Sequence, residues 1–193
     1  MNRTFSTFFT GDQLKHYQKG VMNYRYRGIP CFKSPIDIAL YLSLLHEAKP
    51  RAVIEVGSKF GGSALMFRDF TRMAGIDCDI VSIDIKKPDM SADGVRFLEG
   101  NVLRLDRVFK EHALDDLPRP WLVVEDSSHT AESCRAALDF FAGRLLPGEW
   151  LAMEDGVLDE LGLRQKHNGG PNRAISEFFA EHPGIFAIGA EYC

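Results

Sequence analysis

The chain has 193 residues, a mass of 21.7 kDa and a net charge of −4, from 23 basic against 27 acidic residues. This length favours one domain; 45% hydrophobic and 26% charged residues argue against a disordered or fibrous chain, and the acidic balance is no footprint for a nucleic-acid binder. Cys31, Cys78, Cys134 and Cys193 are scattered without a CxxC pair, which argues against a disulfide framework or a zinc ribbon and for a reducing, cytoplasmic setting.

The start, MNRTFSTFFTGDQL, lacks the continuous apolar run of a secretory leader. Residues 1–30 interleave Arg3, Lys15, Lys19, Arg25 and Arg27 with Phe5, Phe8, Phe9, Tyr17, Tyr24 and Tyr26. The pattern predicts an N-terminal helical, aromatic segment ahead of one domain over residues 31–193. Its aromatics are expected to pack on the body or on a sister subunit in a homo-oligomer; a lid over an anionic or flat ligand is the sharper alternative. Ser34 and Pro35 then suit the N-cap and first turn of a helix with Ile36, Ala39, Leu40 and Leu44 at helical spacing. The apolar run inside it, Ile38 to Leu45, is too short to cross a membrane.

From there strands and helices alternate. AVIEVG (52–57), DIVSID (79–84), VRFLEG (95–100), WLVVED (121–126) and EWLAMED (149–155) read as short, largely apolar strands. Helices are expected at 63–73 and near 104–113, 130–145 and 171–182. This alternation predicts an α/β fold with a mostly parallel, twisted sheet covered by helices on both faces. Ligands of such sheets bind at the carboxyl ends of the strands. Those ends carry Glu55 and Gly57, Asp84, Glu99-Gly100-Asn101, Glu125-Asp126 and Glu154-Asp155, a polar and mostly acidic rim suited to hydroxyls, a positive charge or a metal.

The first strand–helix turn is Gly57-Ser58-Lys59-Phe60-Gly61-Gly62-Ser63, preceded by Glu55. Glycines permit tight turning and close backbone approach, and the amides opening a helix face the ligand. A dinucleotide loop would read GxGxxG; this one reads GxxxGG with a carboxylate just before it, which repels a pyrophosphate and welcomes a sulfonium or amino group. Asp84 can accept hydrogen bonds from ribose hydroxyls, a feature shared by S-adenosylmethionine and NAD. The set Glu55, Gly57, Ser58, Gly61, Gly62, Ser63, Asp84, Asn101, Asp126 and Ser127 is thus expected along S-adenosylmethionine; a glycine turn needed only for packing and another nucleotide are the alternatives.

Asp126, Glu154 and Asp155 fall at strand tips close in the sheet, and three hard oxygen donors fit Mg²⁺. His129, three residues past Asp126, is placed to remove a proton from a substrate hydroxyl; His167, in HNGGP, competes for that role. The plain alternatives are that Asp126 and Ser127 cap the following helix, that Glu154 and Asp155 are solvated loop acids, and that His129 is structural.

At these residues the sequence resembles a known family. RAVIEVGSKFGGSALMF, VSIDI, EGN, EDSSHT, LLPGEWLAMED and GGPNRAISEFF resemble, in order, the cephalosporin-hydroxylase-like branch of class I methyltransferases, which is similar to macrolide-sugar and rhamnosyl O-methyltransferases; the likeness covers about residues 28–186. It implies a Rossmann-like methyltransferase fold, S-adenosylmethionine near Glu55, Gly57, Ser63 and Asp84, Mg²⁺ on Asp126, Glu154 and Asp155, and His129 as base. It also places Lys33, in Lys33-Ser34-Pro35, near the cofactor. Relatives continue into a last, reversed strand, which is expected to be missing here or supplied from elsewhere. The implied activity is methyl transfer to a hydroxyl of a small molecule such as a sugar or glycoside. Two rivals stand beside it: a non-catalytic S-adenosylmethionine-binding accessory protein, and a hydroxylase-type oxidoreductase, disfavoured because an iron site wants two His and one carboxylate.

Overall fold

The computed structural model describes residues 9–192, so the expectations attached to Phe5 and Phe8 lie outside the described residues. Helix α1, Gly11–Val21, is opened by a capping box between Thr10 and Gln13. A short antiparallel hairpin follows, β1 Arg25–Tyr26 and β2 Ile29–Pro30, turning on Arg27 and Gly28, both at positive φ. Helix α2, Pro35–Ala48, begins as the sequence indicates, with Ser34 as N-cap in a capping box with Asp37 and Pro35 in the first turn.

The sheet then builds in the expected alternation: β3 Ala52–Val56, α3 Gly62–Met73, β4 Asp79–Asp84, β5 Val95–Glu99, α4 Leu105–His112, β6 Trp121–Glu125, α5 Ala131–Ala142, β7 Trp150–Met153 and α6 Gly170–Glu181. All five core strands are parallel, in the order β5-β4-β3-β6-β7. The chain works outward from β3 and then returns to lay β6 on its other side. The order of strands therefore reverses between β3 and β6, where parallel sheets open a crevice for ligands. No strand follows β7 among the described residues.

Period-two alternation distributes the core. Ala52, Ile54, Val56, Val81, Ile83, Trp121 and Val123 meet Leu105, Val108, Phe109, Ala137 and Phe141 of α4 and α5. Val53, Ile80, Leu122 and Val124 meet Tyr41, Leu44 and Leu45 of α2 and Ala64, Met66 and Phe67 of α3. Both faces are covered, so the central strands β3 and β6 are fully buried and, apart from Glu55 and Glu125, apolar. Tyr24 and Tyr26 pack against the second cluster; Tyr26 lies edge-on to Phe70 and its hydroxyl donates to Asp69 at 3.0 Å. Helix α6 closes a third cluster over α5 through Cys134, Leu138, Ala174, Ile175 and Phe178. Among the described residues no helix is long and apolar enough to cross a membrane.

The strand tips are bound into one row beyond the sheet proper. Asp126 N donates to Val56 O at 2.8 Å, Gly57 N to Ile83 O at 2.7 Å, and Glu154 N to Glu125 O at 3.1 Å. Gly57, at φ 114°, lies so close to the next tip that a Cβ would stand 2.0 Å from the Asp126 carbonyl oxygen. Only glycine lets these tips close. Gly57→Ala should therefore wedge β3 from β6 and cost about 2–4 kcal/mol of stability, read as a fall in the urea midpoint; an unchanged midpoint would refute this account of the turn.

Candidate functional site

Two groups of polar side chains meet on the rim. The first surrounds the glycine turn. Glu55 follows Val53 by two residues and so faces the α2–α3 side, fully buried; Ser82 Oγ donates to its Oε2, while its Oε1 has no hydrogen-bond partner. Burial pushes its carboxyl up, against the pull of the Lys33 charge and of the Ser63 and Ser82 hydroxyls. Ser58 is buried and hydrogen-bonded to Ser82. Asp84 accepts from the amides of Lys59 at 2.8 Å and Lys86 at 3.1 Å, so it pins the glycine turn to the end of β4. Each carboxylate oxygen keeps a lone pair for a further donor.

The other glycines answer packing needs as well. Gly61, at φ 83°, is the N-cap of α3, and a Cβ on Gly62 would stand 2.3 Å from the Pro30 carbonyl of the hairpin. Asn101 caps the short turn after β5, accepting from Leu103 N at 2.9 Å, and Ser127 donates to Glu125. Sequence reading gave no weight to Ile85, beside Asp84 and 72% exposed, or to Phe60 and Leu103, both largely exposed. Phe60 lies edge-on to Phe32, with ring centroids 5.9 Å apart.

The second group is acidic. Asp126, His129 and Asp155 each bring one donor atom into a set whose members all lie within 4.8 Å of one another. His129 Nδ1 stands 3.1 Å from Asp155 Oδ2 and 3.8 Å from Asp126 Oδ1. That nitrogen is buried and has no properly aligned hydrogen-bond partner. His129 and Asp155 both hold left-handed backbone, at φ 58° and 59°, a conformation that costs non-glycine residues energy and collects at functional sites. The left-handed turn at His129 also moves the helix start onward. Thr130, rather than Asp126 or Ser127, caps α5, accepting from Ser133 N at 3.2 Å, and Asp126 is left for the cleft. An orphaned ring nitrogen aimed at two carboxylates, with side chains 20–27% exposed, fits a divalent cation reached from solvent.

Glu154 is tied elsewhere. The Lys33 amine, 1% exposed, donates to Asp126 Oδ2 and lies 2.7 Å from the Glu154 carboxylate, whose Oε1 also accepts from the Tyr41 hydroxyl at 2.5 Å. Lys33 thus sits on the carboxylates. Burial alone would lower its pKa, but Asp126, Glu154 and Glu55 reverse this and hold it well above the usual lysine value. Burial raises Asp126 and Glu154 above the ordinary carboxylate range, and Lys33 pulls both back. Tyr41 was readable only as a helix position. His167 comes close to His129, with ring centroids 6.0 Å apart and Nδ1 3.3 Å from the Ser128 carbonyl.

A parallel sheet with this strand order, a glycine turn after its central strand and acids at the neighbouring tips define an enzyme of the class I methyltransferase kind. The chain belongs to the rhamnosyl O-methyltransferase/CmcI family, whose family model matches residues 18–192. It is 29% identical over 164 residues to the rhamnosyl O-methyltransferase of Mycobacterium leprae (strain TN), covering 82% of this chain and 72% of that protein. With the rhamnosyl O-methyltransferase of Mycobacterium tuberculosis (strain ATCC 25618 / H37Rv) it shares 26% over 174 residues, 86% of this chain and 70% of the other. A solved CmcI structure with Mg and SAM is similar at 26% identity and a TM-score of 0.63, over 81% of this chain and 66% of that one.

Proposed function

We propose that this enzyme transfers the methyl group of S-adenosylmethionine to a hydroxyl of a small molecule, a sugar or glycoside being the substrate class, with a divalent cation, Mg²⁺, at the acidic group. One observation carries the reading: Asp126 belongs to both groups of the rim. Its backbone packs against Gly57 of the donor turn, and its carboxylate lies in the Asp126–His129–Asp155 set. A donor at the glycine turn and an ion at the acids would thus be neighbours. The names of the mycobacterial relatives and the Mg and SAM of the CmcI structure support the same assignment.

The donor would be held by the glycine turn, the amides opening α3 and Asp84, whose carboxylate would take the ribose hydroxyls. In the reaction the substrate oxygen forms a bond to the methyl carbon as the carbon–sulfur bond breaks, and sulfur keeps the electron pair. The leaving group is good, so the protein's main work is alignment. Asp126 and Asp155 would hold the cation, while Glu154, the third acid expected there, is bound to Lys33 and Tyr41. Bound there, Mg²⁺ would supply Lewis-acid chemistry, lowering the pKa of a substrate hydroxyl. His129 takes the proton. With Nδ1 3.1 Å from Asp155 Oδ2 and 3.8 Å from Asp126 Oδ1, Nε2 is the nitrogen left to receive it. His129 Nδ1 also lies within the donor set, so ligation is the second reading of this residue. The loop between Asp155 and α6 borders the acceptor side.

Incubation with S-adenosylmethionine and a panel of sugars and glycosides should release S-adenosylhomocysteine, and excess EDTA should stop it. Turnover that persists in chelator would exclude the metal, and binding of the donor without turnover on any acceptor would favour an accessory protein. Asp155→Ala should abolish metal-dependent turnover while donor affinity, measured by calorimetry, stays within about threefold. His129→Gln should lower kcat by roughly 10²–10⁴-fold with KM and metal affinity little changed. A tenfold loss of metal affinity in that variant would make His129 a ligand instead.

A further inference from the structure

Lys33 is the one fully buried cation among the described residues of the site, and the chemistry proposed above makes no use of it. Its amine touches Asp126 and Glu154, from segments 93 and 121 residues away in sequence. The two oxygens of Asp126 face opposite ways: Oδ2 takes the amine, and Oδ1 faces the His129–Asp155 side. Glu154 is spent on Lys33 and on Tyr41. Ser34, the next residue, is locked as the N-cap of α2 by two reciprocal hydrogen bonds with Asp37, at 2.7 and 3.0 Å. The lysine backbone is therefore anchored, and its side chain, sealed under the cleft, cannot swing into solvent.

We infer that Lys33 is a tethered resident cation that competes with the divalent ion for Asp126 and Glu154, so that metal binding draws the acid cluster away from the amine. The inference rests on the metal reading above. A carboxylate cluster under a cleft is unstable without a positive partner; Lys33 supplies one permanently. The same charge repels an incoming ion only a few Å away and withholds Glu154 from it. The site therefore keeps its carboxylates in place at all times and yields them only at sufficient ion concentration. Lys33 is on this account a positioning residue that sets the metal threshold, not a group that touches substrate.

The test is calorimetric titration with MgCl₂ and with MnCl₂, alongside thermal melts in EDTA and at saturating Mg²⁺. Lys33→Met should bind either ion roughly tenfold or more tightly than the natural chain, because a unit charge at this range is removed. It should melt lower in EDTA and recover most of that loss in Mg²⁺, giving a larger metal-induced shift than the natural chain. Lys33→Gln, which keeps donors for both carboxylates and removes only the charge, should show the same gain if the methionine variant folds poorly. Tyr41→Phe loosens Glu154 without altering charge, and its metal affinity should stay within about threefold, which separates competition from simple loosening. Metal binding that needs Asp155 but is unchanged or weaker in both Lys33 variants would overturn this inference alone. Metal binding that survives Asp155→Asn in every background would instead overturn the metal reading on which it rests.

Discussion

The closure of the β3 and β6 tips is the constraint on which the rest depends. Strand order reverses between these two strands, and the backbone of one tip rests on the other because Gly57 has no side chain. That contact draws the glycine turn and the acidic group into one rim. Hydrogen bonds from Asp126 N to Val56 O and from Glu154 N to Glu125 O carry the ladder past the strand ends. Side chains that follow them are consequently held by rigid backbone, as a site that must align two reactants requires.

Charge burial is the second organising force. Glu55 and Glu125 are fully buried at the ends of neighbouring strands, yet face opposite sides of the sheet. Glu125 is matched by the Ser127 amide and hydroxyl and by Cys134, whose thiol burial and the nearby carboxylate push well above its usual range. Glu55 relies on Ser82 and on the field of Lys33. Each buried acid thus has at least one donor on its own side, although Glu55 Oε1 is left without one.

The sheet was legible because strands covered on both faces leave short apolar runs such as WLVVE and AVIEV, and because these alternate with longer helical segments. Ser34-Pro35 marked the start of α2 for an equally local reason, since the cap and the first turn are chemistry between near neighbours. The hairpin at residues 25–30 was not legible. Its strands are two residues each, and its turn is Arg27-Gly28 rather than the Asn-Gly or Asp-Gly that signals such a turn. The strand-tip acids could be named from sequence because parallel topology sends every carboxyl end to one side. Their partnerships could not. The resemblance set Lys33 near the cofactor, and only the fold lays its amine on the acids just past β6 and β7. The glycines of the turn were read toward a ligand; three of them also meet backbone or side chains of their own chain closely enough to require glycine without one.

The segment from Gly156 to Gly169 is held to the body near both ends and folds on itself between them through short-range turns such as Leu161 N to Val157 O and Gly169 N to Arg164 O. Asn172 Nδ2 holds Gly156 O at 2.7 Å, Leu158 is buried, and Ala131 N holds His167 O at 3.1 Å. None of the intervening residues contributes to the sheet. Lengthening or rewriting such a stretch costs little closure entropy. A lineage can therefore diversify what it decorates by editing this surface span alone, while inheriting the reactive apparatus beneath it unchanged.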